Sequence, residues 1–111
     1  MCIAVRVLCA APTPESLAAL KRAAVGAEWE VTGGATSGEE ALAHVRTWFP
    51  HVLVFDASLG RDLGRRAAAL HPGIRTVSVG DAEADLTVGS LEEVRSAVAR
   101  SLGRDEPGPR T

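Results

Sequence analysis

His51-Val52-Leu53-Val54-Phe55-Asp56 is the stretch that decides the fold. Four apolar residues run without alternation, two of them β-branched. A strand covered on both faces shows that pattern, and both-sided burial is the mark of a parallel sheet in an α/β protein. The run closes on an acid, so a carboxylate stands where the strand leaves the sheet. Upstream, Ser37-Gly38-Glu39-Glu40 predicts a capping box, with Ser37 as N-cap and Glu40 three residues on. The helix behind it places Ala41, Leu42, Val45 and Trp48 inward, and Pro50 ends it. Downstream, a loop with Gly60 leads to a helix from about Asp62 to His71, which Pro72-Gly73 stops.

The same alternation continues to both ends. Ile3-Ala4-Val5-Arg6-Val7-Leu8-Cys9 is a second near-continuous apolar run and predicts a buried strand. Thr13 is the candidate N-cap of the next helix and Pro14 its first residue. Leu17, Leu20, Ala24 and Val25 follow at helical spacing, and Gly26 is expected to close that helix. Trp29-Glu30-Val31-Thr32 reads as a short, more exposed strand. Ile74-Arg75-Thr76-Val77-Ser78-Val79 reads as a fourth strand and Leu86-Thr87-Val88 as a weak fifth. Ser90-Leu91-Glu92-Glu93 predicts a second capping box, opening a helix through Leu102 with Leu91, Val94, Val98 and Leu102 on one stripe. The sum, β-α-β-α-β-α-β-β-α, implies a mainly parallel sheet with helices on both faces. Function in such sheets sits at the carboxyl ends of the strands. Residues 1–102 are expected to form the domain, and 103–111, polar with Pro107 and Pro109, a disordered tail.

Composition narrows the function classes. The chain has 111 residues, 46% hydrophobic and 23% charged, with a net charge of −2. That suits one globular domain and argues against a dedicated nucleic-acid binder, which carries a basic excess. No apolar run reaches the roughly 20 residues that span a bilayer, and the start lacks a basic signal-peptide region. A soluble, cytoplasmic protein without membrane contact is expected. Two cysteines, Cys2 and Cys9, suggest neither a disulfide framework nor a zinc site. Lys21 is the only lysine beside eleven arginines, so the cluster Arg61, Arg65 and Arg66 reads first as a solvated face. His44, His51 and His71 lack metal-ligand spacing.

Ser37-Gly38-Glu39-Glu40-Ala41-Leu42 followed by Pro50-His51-Val52-Leu53-Val54-Phe55-Asp56 resembles the second helix and third strand of response-regulator receiver domains. Gly64 stands where those domains begin their third helix with a glycine, and Ser90-Leu91-Glu92-Glu93-Val94 resembles the start of their last helix. The resemblance covers about residues 3 to 102. It implies a flavodoxin-like three-layer sandwich with strand order 2-1-3-4-5, and a role in two-component signal transduction.

The departures from the family pattern define the candidate site. Receivers carry two adjacent acids after the first strand; Ala11 and Pro12 stand there. The switch Thr/Ser falls on Gly80, and the lysine after the fifth strand falls on about Thr87 or Val88. Only Asp56 remains, as a vestigial phosphoacceptor. Phosphoryl transfer to a carboxylate works by positioning and charge neutralisation, and magnesium needs hard oxygen ligands that Ala11 and Pro12 do not supply. The expectation is therefore a phosphorylation-independent, receiver-like regulatory or protein-interaction module of bacterial signalling. It is not an enzyme and needs no cofactor or metal. The pocket candidates are Ala11, Pro12, Gly80, Asp81 and Thr87. A small-molecule sensor at the same strand ends is the alternative, since Ala11, Gly34, Gly80 and Gly89 replace larger groups. A metal site of Asp56, Asp81 and Asp85 is a weaker one, with these acids otherwise keeping their segment solvated. A phosphocarrier or phosphatase-like enzyme built on Cys9 is weaker still, because Pro12 and Pro14 each remove an N–H that a phosphate loop needs and Glu15 stands where a phosphatase needs arginine.

One more departure is structural. Only Gly80 to Asp85 separate the fourth strand from the fifth. Six residues reach at most about 20 Å, too little for a helical crossover of roughly ten residues or more. The family's fourth helix should be replaced by a strap, Gly80-Asp81-Ala82-Glu83-Ala84-Asp85, with the fifth strand parallel or antiparallel. Loss of that helix should uncover apolar sheet surface at the fourth and fifth strands and favour a protein partner or a homodimer at that edge. No output domain fits in the chain, so it acts through a partner or belongs to a longer polypeptide.

Overall fold

The computed structural model describes residues 5–26 and 28–102. The 103–111 tail and the first residues of the apolar run at Ile3 lie outside them. Five strands, β1 (Val5–Ala10), β2 (Trp29–Ala35), β3 (Val52–Asp56), β4 (Arg75–Val79) and β5 (Leu86–Val88), form one sheet in the order β2-β1-β3-β4-β5. Every neighbouring pair is parallel, β5 included. The helices are α1 (Pro14–Ala24), α2 (Gly38–Trp48), α3 (Leu63–Leu70) and α4 (Val94–Ser101), with 3-10 turns at Ala57–Leu59 and Leu91–Glu93.

Strand alternation splits the core into two layers. Val7, Cys9, Val52, Val54, Val77 and Val88 face α1 and α4, where they meet Leu20, Ala24, Val94, Ala97 and Val98. Leu8, Ala10, Leu53 and Phe55 face the other way and meet Ala41, Leu42 and Val45 of α2 and Leu63 and Ala67 of α3. β1 and β3 contribute to both layers, which is why their sequences are apolar without alternation.

The helix signals are realised with local differences. Thr13 caps α1 through its side chain, and Ser16 reaches back to the Thr13 N–H, completing a capping box. Gly26 does not close α1. The cap is Val25, and the Trp29 indole lies over Gly26 while its Nε1–H donates to the Ala24 carbonyl at 2.6 Å. β2 runs past Thr32 to Ala35, because Gly33 and Gly34 pair with Leu8 and Cys9 of β1. Ser37 caps α2, but Glu40 reaches one residue farther back than a capping box requires and accepts from the Thr36 N–H at 2.8 Å. That bond holds the Glu40 carboxyl below its usual pKa. Asp62 and His71 flank α3 rather than belong to it.

Two apolar expectations are corrected. Trp48 is 60% exposed rather than inward. It is the last residue of α2, and Phe49 turns left-handed at φ 49, so the helix stops before Trp48 is covered. Ser90 makes no side-chain cap, and Leu91 lies in the 3-10 turn at 37% exposure instead of on a core stripe.

A third correction concerns the strap. Residues 80–85 form no helix, and β5 returns parallel to β4. The sheet surface beneath is hydroxylic, however, and it is covered. Thr76 and Ser78 are the buried polar residues of the described core, and Ala82 of the strap packs into the layer with Phe55 and Leu63. The strap satisfies these hydroxyls itself: Ser78 donates to the Gly80 carbonyl at 2.9 Å, and Thr76 bonds to Asp85.

Candidate functional site

Each strand of a parallel sheet delivers its last residue to the same edge, so the site is built from the ends of β1, β3 and β4. β1 ends at Ala10, and buried Ala11 donates its N–H to the Ala35 carbonyl at 3.0 Å. Pro12 follows, exposed, just ahead of the α1 cap. β3 ends at Asp56, whose Oδ1 accepts the Ser58 N–H at 2.9 Å and so caps the 3-10 turn. β4 ends at Val79, and Gly80 turns the chain at φ +100, a conformation that side chains resist.

Asp56 borders a cavity of about 190 Å³ with Ala11, Ser16, Ala19, Leu20, Val79 and Leu91. Of the candidates read from sequence, Asp56 and Ala11 thus come together. The others serve different contacts. Gly80 donates its N–H to the Val88 carbonyl at 2.9 Å and stands next to Ala57. Asp81 turns to Arg61 at 3.1 Å. The Thr87 hydroxyl meets that of Ser78 at 3.1 Å. Pattern reading missed Ser16, Leu20 and Leu91 as walls of the cavity, since they come from α1 and the turn before α4, far away in sequence.

The acids of the strap do not converge. Asp81 pairs with Arg61, Glu83 with Arg65 at 3.4 Å, and Asp85, exposed just ahead of β5, turns back to Thr76 of β4. Its Oδ2 accepts from the Thr76 N–H at 3.0 Å, and its own N–H donates to Thr76 Oγ1 at 2.9 Å. No group of three His, Cys, Asp or Glu side chains that could hold a metal comes together among the described residues. The arginine cluster therefore has partners: Arg61 and Arg65 hold the strap, and Arg66 meets Glu39 of α2 at 3.2 Å. The signal was present as arginines four apart, Arg61 just ahead of α3 and Arg65 in its first turn, and acids two apart on the strap. These pairs are exposed, so each contributes little. Asp85 matters more. Replacing Asp85 with alanine is expected to cost about 1–2 kcal/mol, because it strands the buried Thr76 N–H. Urea unfolding measures the loss, and faster amide exchange at Thr76 locates it.

Two further groups complete the electrostatics. Lys21, the single lysine, lies over Gly34, its Cε 2.7 Å from where a Cβ there would stand. β2 is two strands from β3, so this ammonium belongs to the far edge of the sheet and not to Asp56. Cys9 is fully buried, and burial pushes its thiol up to about 12, opposed only in part by Lys21. A nucleophilic or phosphate-carrying cysteine needs its pKa lowered, so the geometry favours a packing role.

No family model matches the chain, and no curated protein matches it. Solved structures do. A receiver domain protein (CheY-like) from Methanospirillum hungatei JF-1 superposes with a TM-score of 0.76 at 21% identity, over 91% of this chain and 95% of that one. The receiver domain of AraT, a response regulator from Geobacillus stearothermophilus, gives 0.74 at 19% identity, over 92% and 95%. The isolated receiver domain of RcsB from Salmonella enterica serovar Typhimurium, solved in the presence of the phosphomimetic BeF3-, gives 0.71 at 15%, over 94% and 93%. The chain has the flavodoxin-like fold of receiver domains.

Proposed function

We propose that this receiver-fold chain is a regulatory, protein-interaction module of bacterial signal transduction that works without phosphorylation of Asp56. The observation that carries the reading is the surroundings of that carboxylate. Its neighbour from β1 is the methyl of Ala11 and its capping partner is a backbone N–H, while Asp81 and Asp85 are engaged elsewhere. A phosphoryl group there would bring about two negative charges to a place without an ammonium, and a magnesium ion would find one carboxylate where it commonly uses more. Binding to a partner is then a constitutive property of the surface. Residues 80–85 form a strap where the resemblance to receivers implies a helix, and β5 is the edge strand of the sheet, so we assign the partner, or a second copy of the chain, to that edge. The module acts without contacting nucleic acid or membrane and performs no reaction of its own; no helix among the described residues is long and apolar enough to cross a membrane.

Incubation with acetyl phosphate and magnesium is expected to leave the intact mass unchanged, and beryllofluoride to give no bound fluorine signal. A phosphate adduct that disappears in Asp56→Asn would overturn the proposal. Capture of the same partner by wild type and Asp56→Asn in equal yield is the matching positive result. The cavity beside Asp56 favours a second reading, a small-molecule sensor. Its mouth joins apolar walls to one carboxylate and one hydroxyl, Ser16. A metabolite that raises Tm for wild type but not for Ala11→Leu would select it.

A further inference from the structure

A larger cavity lies on the opposite side of the sheet from the Asp56 cavity, towards the amino ends of the strands. It has a volume of about 320 Å³ and is lined by Arg6, Leu8, Thr32, Gly33, His44, Trp48 and Pro50. Small-molecule sites commonly start near that size, and they combine apolar walls with a few polar groups. Its origin is a β-bulge. Val7 pairs with Val31 and Leu8 with Gly33, leaving Thr32 as the extra residue. Bulges of this kind re-aim side chains and recur beside binding sites. Here the glycine after the bulge leaves the floor open, since a Cβ on Gly33 would meet nothing closer than Leu8 Cδ1 at 3.4 Å.

The chemistry of the walls selects a ligand. Leu8 and Pro50 are buried and apolar, and Trp48 offers an indole that the fold leaves uncovered. Arg6 and His44 supply the charged and ionisable groups, and among the described residues no acid lines the walls; Glu30, the register partner of Arg6, is exposed outside them, and Glu40, one helical turn before His44, is bound to the Thr36 N–H. One Arg6 nitrogen donates to the Phe49 carbonyl at 3.0 Å, which fixes the guanidinium in place and leaves its other donors for a ligand. The neighbouring His51 accepts the Arg6 N–H at 3.0 Å through Nδ1, and its pKa is held down first by burial and then by the Arg6 and His71 charges.

We propose that this cavity binds a small aromatic carboxylate, with the ring against Trp48, Leu8 and Pro50 and the carboxylate towards Arg6 and His44. The site is separate from the Asp56 cavity and does not rest on the interaction reading. A titration of the full chain followed by amide chemical shifts tests it, with benzoate and indole-3-carboxylate as probes, benzamide as the uncharged control, and concentrations up to about 10 mM, the weak end of specific binding. Saturable shifts centred on Thr32, Gly33 and His44 are expected for at least one acid, with benzamide at least tenfold weaker. Gly33→Val, which fills the floor, should abolish binding. Trp48→Ala should weaken it about tenfold, and because Trp48 is exposed this variant reports even if Gly33→Val does not fold. Absence of saturation, equal binding of benzamide, shifts centred instead on Asp56 and Ala11, or undiminished affinity in Trp48→Ala would each overturn the proposal.

Discussion

Gly64→Val is expected to destabilise the protein by about 3 kcal/mol, the upper range for forcing extra atoms into a packed region. A Cβ at Gly64 would stand 2.7 Å from the Glu83 carbonyl oxygen, 3.3 Å from Phe55 Cε1 and 3.4 Å from Thr76 Cβ. The first of these atoms is strap backbone, which cannot swing aside as a side chain can. The strap must lift, and it carries with it the Glu83 N–H bond to the Arg61 carbonyl at 2.9 Å, the burial of Ala82 and the Asp85 bonds to Thr76. Gly64 is inside α3, where Val is about as good a helix former as Gly or better, so helix propensity does not account for a loss. The control is Gly89→Ala, where an added Cβ meets nothing within 4 Å and stability should stay within about 0.5 kcal/mol. Thermal unfolding separates the two, with an expected fall in Tm of at least 10 °C for Gly64→Val, since about 1 kcal/mol shifts a domain of this size by some 4–8 °C. An unchanged Tm would mean that the strap does not rest on α3.

Alkaline pH should reveal the second large effect, through Cys9. In the folded chain the thiol keeps its proton up to about 12, because ionising it would place a charge in the layer between the sheet and α1, against an ordinary value of 9.0. Below pH 9 both folded and unfolded chains hold the proton, so this group gives no pH dependence. Between 9 and 12 the unfolded chain releases a proton that the folded chain retains, so stability falls as pH rises through that window. Each unit is worth about 1.4 kcal/mol, which gives a loss of about 2 kcal/mol between pH 8 and 10.5. The composition keeps the background small: the chain has no tyrosine and one lysine, and its other thiol, Cys2, is common to wild type and Cys9→Ala, so the comparison isolates Cys9. Urea midpoints for wild type should fall across this range, while those of Cys9→Ala, lower at the outset, should stay nearly flat. Parallel slopes for the two proteins would show that Cys9 ionises freely in the fold.

Both effects arise where pattern reading and packing part company. The strand of residues 51–56 and the one before α1 were legible because burial on both faces writes itself into an unbroken apolar run. Parallel pairing followed from helices between strands, and the strap from counting six residues where a helix needs more. The candidate site was legible only in part. Asp56 could be placed at a strand end, and Ala11 beside it, because sheet topology carries those positions together. Asp81 and Thr87 could not be assigned to other contacts from sequence, since Arg61 lies twenty residues before Asp81 and Ser78 reaches Thr87 only once β5 is in register. Trp48 was misread for a related reason: helical periodicity gives the direction of a side chain but not where its cover ends.

Local order, then, was written in the chain itself: the alternation of elements, the capping of α1 by Thr13 and the unbroken apolar runs of β1 and β3, all of which are patterns within a few residues. Tertiary structure alone decided what occupies the gaps. It set Thr76 and Ser78 beneath the strap, turned Arg61 and Arg65 into its anchors, and opened the cavity at the Thr32 bulge. Those outcomes depend on how distant segments share space and satisfy each other's hydrogen bonds, a condition that no single stretch of sequence carries.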